Sequence, residues 1–293
     1  MGESYLGRRV DALRKTQNPD GGWSYFPNKK ISWLEPTLYA ALALHGDPAA
    51  DRAWELLRTW QQDDGSWRPS AEVEIAHSST ALCVTMAAIR GEFDAPFRNG
   101  VDFLLGSVGV EHSFWKRTFA RWHWYDPERN LDLEGWPWKP GTSSWVEPTA
   151  HALVALKKAA AKATQLASLT QRVKLGEALL LDVRCIDGGW NYGNRTDGRN
   201  NLLPSYPETT ALALVGLQGR TDIGASLDLA LKYIRDGASP MAAAWLNIAL
   251  RLHGKSVDAP TDTDPSQDIL ITALEALGAP EGNHRLLATG AHA

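Results

Sequence analysis

Cysteine is nearly missing from this chain: Cys83 and Cys185 are the only two in 293 residues. They stand far apart and outside any metal-ligand spacing, so neither a disulfide framework nor a zinc cluster is expected, and a reducing cytoplasmic compartment is the expectation. Positive charge is equally sparse. The formal net charge is −4, and the longest basic runs are the pairs Arg8-Arg9, Lys29-Lys30 and Lys157-Lys158, too short to build a nucleic-acid surface. No stretch approaches the ~18 apolar residues that span a bilayer, the first residues lack an apolar signal core, and neither end carries a lipidation box. A soluble chain is therefore expected. Strand signals are lacking too, since no segment alternates apolar and polar residues over a strand's length. A composition of 44% hydrophobic and 22% charged residues then fits a helical globular protein, taken as one domain over residues 1–293.

Tryptophan, by contrast, is abundant: thirteen in all, with Trp115, Trp122, Trp124, Trp136, Trp138 and Trp145 crowded together. Others belong to a motif that returns along the chain, as Gln17-Asn18-Pro19-Asp20-Gly21-Gly22-Trp23, Gln61-Gln62-Asp63-Asp64-Gly65-Ser66-Trp67 and Asp187-Gly188-Gly189-Trp190, with a weaker copy at Glu134-Gly135-Trp136. Each follows an amphipathic stretch (3–17, 48–61, 95–108 and 167–184) that the turn chemistry of Asp-Gly would stop. Indole has no acid–base chemistry, so these tryptophans are expected to clamp turns rather than to react.

A second kind of helix follows each motif. Glu35 to Leu44, Glu147 to Leu156, Glu208 to Leu217 and Asp268 to Leu277 align without a gap, sharing an acid, an Ala five positions on and a Leu nine positions on. Residues 77–90 and 241–253 fit less well, with Thr80 and Ala243 at the acid's place. These six segments are Ala- and Leu-rich with hardly a charge after the first turn, as expected of buried helices. Buried and surface helices alternating six times close most simply as an all-α ring, an (α/α)6 toroid. The expected sixth outer helix is replaced by a polar link at 254–266, a gap either filled by 283–290 or left open. An aromatic insertion from Glu111 to Ser144, with His112 and His123, is expected to cover one end of the ring.

The aligned repeats separate packing positions from lining positions. Ala40, Ala152, Ala213 and Ala273 are expected at tight helix contacts, while Tyr39, His151, Leu212 and Thr272 vary at the position one turn beyond the acid. Positions i and i+4 share a helix face, so acids and variable residues both look into the lumen. Four carboxylates at one level raise at least one pKa and make a proton donor near neutrality. The plainer use of an acid at a helix start is to complement the macrodipole, and it applies to Glu35 and Glu147, each followed by Pro, as well as to Glu208. Trp33 and Trp145 sit two residues before Glu35 and Glu147, where indole faces either pack in the core or line a pocket. His151, four residues after Glu147, and His77 fit buried histidines better than metal ligands; no metal and no cofactor are expected.

The Gln-x-x-Asp-Gly-Gly-Trp pattern resembles the QW motif of the squalene-hopene and oxidosqualene cyclases, whose α/α toroid is shared with the protein prenyltransferases, over roughly residues 3–278. The resemblance implies that fold, and it sets Tyr206-Pro207-Glu208-Thr209-Thr210-Ala211 against the Asp-x-Asp-Asp-Thr-Ala signature of class II terpene cyclases. Glu208 falls on the proton-donating middle Asp, with Tyr206 and Thr209 in place of its two supporting aspartates. The prenyltransferase zinc site is not implied, because Ala81 stands where an Asp would precede Cys83. The expected function is the binding of an apolar isoprenoid in a central aromatic-lined cavity, with protonation by Glu208. Glu35, Glu147 and Asp268 would tune or replace that acid, and Trp33, Tyr39, His77, Trp145, His151 and Tyr206 would shape the pocket. Two alternatives stand beside it: a non-catalytic toroid that binds a lipid or a partner protein, and a carbohydrate-active (α/α)6 barrel with two catalytic carboxylates.

Overall fold

The computed structural model describes residues 4–115, 118, 122, 129–160, 166–197, 201–258 and 263–289. Eleven α-helices are described over these residues, α1 Tyr5–Thr16, α2 Leu34–Ala43, α3 Pro48–Arg58, α4 Thr80–Arg90, α5 Ala95–Gly106, α6 Val146–Ala159, α7 Leu166–Asp182, α8 Pro207–Gly216, α9 Gly224–Arg235, α10 Pro240–Leu252 and α11 Ile269–Gly278. Extended pairing among the described residues is confined to isolated bridges such as Trp33 with Ser70. None of these helices is long and apolar enough to cross a membrane.

Six helices, α2, α4, α6, α8, α10 and α11, form an inner ring, each packed on the next, and α11 closes it by packing back on α2. Helices α1, α3, α5, α7 and α9 lie outside them. The chain is therefore an α/α toroid. Its inner contacts are tight where the aligned alanines stand: Ala40, Ala152, Ala213 and Ala273 are wholly buried. Gly216 carries the closest approach, since a Cβ there would lie 2.8 Å from the Cα of Ala150, so α6 and α8 meet backbone to backbone.

Four tryptophans make the repeat legible as hydrogen bonds. The backbone N–H groups of Trp23, Trp67, Trp136 and Trp190 donate to Thr37, Thr80, Thr149 and Thr210 on inner helices, at 2.8, 2.8, 3.0 and 2.9 Å. Their indole N–H groups donate to the carbonyls of Leu13, Leu57, Leu104 and Leu180 on outer helices, at 2.9, 2.9, 2.8 and 2.6 Å. Each tryptophan thus ties the end of an outer helix to the start of an inner one. The weak copy at Trp136 is a full member of this set. It lacks the motif's Gln and Asp, and Arg172 supplies the turn instead, donating to the carbonyls of Glu134 and Gly135 while stacking 3.4 Å over the Trp136 ring. In the first copy Gln17 donates to Gly21 and Ala49, both at 2.8 Å. Gly21 itself has φ 93°, and a Cβ there would meet the Arg52 carbonyl of α3 at 2.9 Å, so the turn abuts the next outer helix.

Two alignments change in the structure. Because Thr80 accepts from Trp67 as Thr37 accepts from Trp23, Ser78 and not Thr80 stands at the acid's level. On α10 Trp245 meets Tyr39 and His151 at 5.3 and 6.1 Å, so it takes the place one turn below, and Met241 and not Ala243 stands at the acid's level. Local periodicity did not reveal where each helix begins. The sixth outer position carries no helix among the described residues, and 283–290 does not fill it. The 3₁₀ turn Asn283–Leu287 sits instead under the ring, where Asn283 donates to the carbonyls of Leu42 and Ala43 at the end of α2. A cavity of about 370 Å³ remains in the outer wall, lined by Tyr5, Pro240, Ala243, Asn247, Thr263 and Glu275.

Candidate functional site

Every inner helix begins at the same end of the ring, which makes that end a mouth lined by helix N-termini. The outer helices α3 and α5 are capped by side chains, Asp47 accepting from Ala49 and Asp94 from Phe97. The inner helices α2, α6 and α8 start instead at Trp33, Trp145 and Tyr206, which give no side-chain cap. Their N–H groups are met by backbone carbonyls: Trp33, Trp145 and Tyr206 donate to the carbonyls of Trp23, Trp136 and Trp190. One residue on, Leu34, Val146 and Ile269 donate to Pro69, Tyr192 and Tyr25 of adjoining loops. At α2, α6 and α8 these backbone bonds stand where a side-chain cap would.

Glu35, Glu147 and Glu208 are therefore left without a side-chain capping bond, each at the second position of its helix. Asp268 is different. It is the cap of α11, accepting from the N–H groups of Leu270 and Ile271 at 2.9 and 3.4 Å. Replacing Asp268 by Ala is expected to lower stability by about 1 kcal/mol, measured by urea unfolding.

The acids sense one another across the mouth. Burial pushes the Glu147 carboxyl up to about 8, and the charges of Glu35 and Glu208 add to the rise. Glu147 is enclosed by protein on nearly all sides yet still touched by solvent, and it makes no hydrogen bond or ion pair among the described residues. Glu35 is raised by burial as well, then held back by the Tyr25 hydroxyl, which donates to its Oε2 at 2.7 Å, with Glu208 and Asp268 pushing it up again. Burial also raises Glu208. At the same level α4 and α10 contribute the neutral Ser78 and Met241.

One turn deeper, Tyr39 and His151 share a hydrogen bond of 3.0 Å, and Trp245 meets the Tyr39 ring edge-on at 5.3 Å. Burial holds His151 neutral, with its pKa lowered to about 4. These three side chains, with Leu212 and Thr272, are buried, so the ring is closed one turn below the acids. The mouth is a shallow acidic cup, where a deep lumen was expected.

Around the cup stand aromatic faces. Trp33 lies 6.1 Å from Tyr25, and Trp145 meets Tyr192 at 6.1 Å, which in turn meets Tyr206 at 5.4 Å. Tyr192 and Tyr206 are exposed. His77 is engaged elsewhere on the rim, against Trp138 at 5.8 Å and the Ser79 hydroxyl at 2.9 Å. Tyr25, Tyr192 and Trp245 were missed in the sequence. The first two had a signal, an aromatic two residues after the motif tryptophan, as in Trp23-Ser24-Tyr25, Trp136-Pro137-Trp138 and Trp190-Asn191-Tyr192. The insertion is described only in part, anchored by Glu111, which accepts from the Ser144 N–H, and by the His112–Glu134 pair; His123 and Trp124 lie outside the described residues.

No family model matches the chain, and no curated protein matches it in sequence. Solved structures do. A type II terpene cyclase from Scytonema, bound to its product merosterolic acid A, is 18% identical with a TM-score of 0.55, covering 93% of this chain and 76% of its own. A family 8 endoglucanase from Klebsiella pneumoniae is 15% identical with a TM-score of 0.60, covering 92% and 97%. A protein from Actinoplanes is 21% identical with a TM-score of 0.53, covering 84% and 73%. At these identities the likeness is one of fold, and it is shared by a terpene cyclase and a glycosidase.

Proposed function

We propose that this chain is an isoprenoid-handling enzyme of the α/α toroid class, whose mouth holds an apolar chain against Trp33, Trp145, Tyr192 and Tyr206 and gives it a proton from Glu147. The observation that carries this reading is Glu147 itself, a carboxyl that keeps its proton at neutral pH and stands unpartnered among other acids. Glu208, the donor implied by the cyclase resemblance, becomes a neighbour that adds to the rise burial gives Glu147.

A pKa near 8 also restricts the chemistry. Such a weak acid suits an oxygen that takes the proton as its bond to carbon breaks, and it is poorly matched to a bare alkene carbon. The substrate in this reading bears an oxygen at its reacting end, as an epoxide does. The Glu147 O–H proton passes to that oxygen, the C–O bond breaks, and a neighbouring alkene closes on the carbon that gains positive charge. Loss of a proton from the product returns Glu147 to its acid form. Aromatic faces stabilise the developing charge. Among the described residues the charges acting on Glu35 and Glu147 are all negative, which disfavours a diphosphate.

The closed floor favours one second reading. An open cup with a protonated Glu147 beside a second carboxyl group also suits a glycoside, with Glu147 as general acid. The test is incubation with epoxide-terminated and alkene-terminated geranylgeranyl chains and with a β-glucan oligosaccharide. Cyclised product from the epoxide is expected. Reducing sugar released in its place moves the site to glycosides, and no turnover of any of the three overturns the enzyme.

A further inference from the structure

Between the inner helices α10 and α11 the outer ring has no helix among the described residues, and the cavity of about 370 Å³ lies at that place. Pockets that hold small organic molecules run from about 300 to 1,000 Å³, so this one has room for a small ligand. Its walls come from α1, the end of α9, α10, the link that follows it and α11, and they are largely apolar, as at Ile234, Ala238, Pro240 and Val257. One end is polar and firmly built. Arg9, wholly buried, stacks 3.4 Å over the Tyr5 ring, donates to the Thr263 carbonyl and hydroxyl at 3.2 and 3.1 Å, and holds Glu275 Oε2 at 2.7 Å. Arg9 therefore fixes Glu275 in the cavity wall and matches its charge.

Two polar groups in that wall are left over. Glu275 Oε1 makes no hydrogen bond or ion pair among the described residues. The Asn247 amide makes none either, and its Oδ1 is buried without a partner. The two side chains are neighbours, since a Cβ at Gly278, one turn along α11 from Glu275, would lie 3.2 Å from the Asn247 Cβ. Buried polar atoms are rarely left unpaired, because their lost hydration then goes uncompensated. No protein group holds this amide, so it is free to turn towards an occupant. A hydroxyl fits the pair: it donates to Glu275 Oε1 and accepts from the Asn247 amide N–H. A carboxylate would meet the Glu275 charge, and an ammonium would find that charge already matched by Arg9.

We propose that this cavity is a second ligand site, separate from the mouth, for a neutral apolar molecule that carries a hydroxyl group. The hydroxyl sits between Glu275 and Asn247, and the apolar part lies against Ile234, Ala238, Pro240 and Val257. The site is independent of any turnover at the mouth. Its occupant joins α1, α9, α10 and α11 where the outer ring has no helix, so binding stabilises the folded chain.

The probes are 1-octanol, octanoate and octylammonium, followed with the full chain by titration calorimetry and thermal unfolding. The alcohol is expected to raise the melting temperature and to bind about 10-fold or more tightly than either ion, the worth of one well-made hydrogen bond. Ala243→Phe places a ring in the cavity from a half-buried position of α10, and is expected to fold and to lose octanol binding. Asn247→Ala, which leaves the space open, is expected to bind octanol about 10-fold more weakly. Glu147→Gln, at the mouth, is expected to bind it as the wild type does. Octanol binding that survives both Ala243→Phe and Asn247→Ala, or that Glu147→Gln removes, overturns the cavity as its site. Tighter binding of either ion overturns the neutral hydroxyl as its ligand. Binding of none of the three probes overturns the site outright and leaves the function at the mouth untouched.

Discussion

Trp190→Ala is expected to lower the free energy of unfolding by about 3–5 kcal/mol, the usual cost of deleting a large buried aromatic. The ring is wholly buried, and its N–H donates to the Leu180 carbonyl at 2.6 Å. Alanine therefore leaves a cavity and strands that carbonyl away from water, which adds its own penalty. Because the same residue joins the end of α7 to the start of α8, the loss opens a junction between outer and inner rings. The melting temperature is expected to fall by roughly 5–8 °C, at about 1.6 °C for each kcal/mol in a chain of this size. Leu202→Ala, at an exposed leucine, serves as the control and is expected to change stability by less than about 0.5 kcal/mol. Chemical and thermal unfolding of both variants check the difference, and equal stability would show that the motif tryptophans clamp nothing.

Glu147→Gln is expected to abolish turnover while making the protein more stable in alkaline solution. The Glu147 pKa rises from an ordinary 4.5 to about 8 on folding. The folded state therefore holds a proton that the unfolded state has given up throughout that interval, and stability contributed by this group is complete below pH 4.5 and lost as pH rises through 8. Each pH unit within the interval costs about 1.4 kcal/mol. Glutamine has no proton to lose, so the variant should fall less steeply over the same range, keeping only the slope from Glu35 and Glu208, and the two curves should separate progressively from pH 5 to pH 8. Activity of the wild type, if Glu147 is the donor, falls on the alkaline side with an apparent pKa near 8. Unfolding curves at several pH values and a pH–rate profile read these two consequences separately. Parallel stability curves would mean that Glu147 is ionised at neutrality and is not the acid.

The sequence by itself determined the helices, the repeat and the ring. Tryptophan after Asp-Gly marks the end of an outer helix, and an acid followed by Ala and Leu at fixed spacing marks an inner one, because turn chemistry and burial are written locally. Even so, the copy at Trp136 looked weak, since the side chain that completes it, Arg172, comes from the following outer helix, far along the chain. Thr80 and Ala243 were set at the wrong level for a related reason: composition locates a buried helix, but only the hydrogen bond from Trp67 and the ring contacts of Trp245 locate its level. The tertiary structure alone decided what the acids do. In sequence Glu35, Glu147, Glu208 and Asp268 share one register and only the cyclase resemblance singles out Glu208, whereas in the ring Asp268 is spent on a cap, Glu35 is held by Tyr25, and Glu147 is left unpartnered. Its proton is kept by burial and by two carboxylates more than fifty residues away on either side, at positions 35 and 208. The closed floor is equally non-local, because Tyr39, His151 and Trp245 come from three different helices and meet only when the ring closes. A pattern along the chain specifies which residues face the axis; how many of them meet there, and with what charge, is set by distances through space that the pattern does not contain.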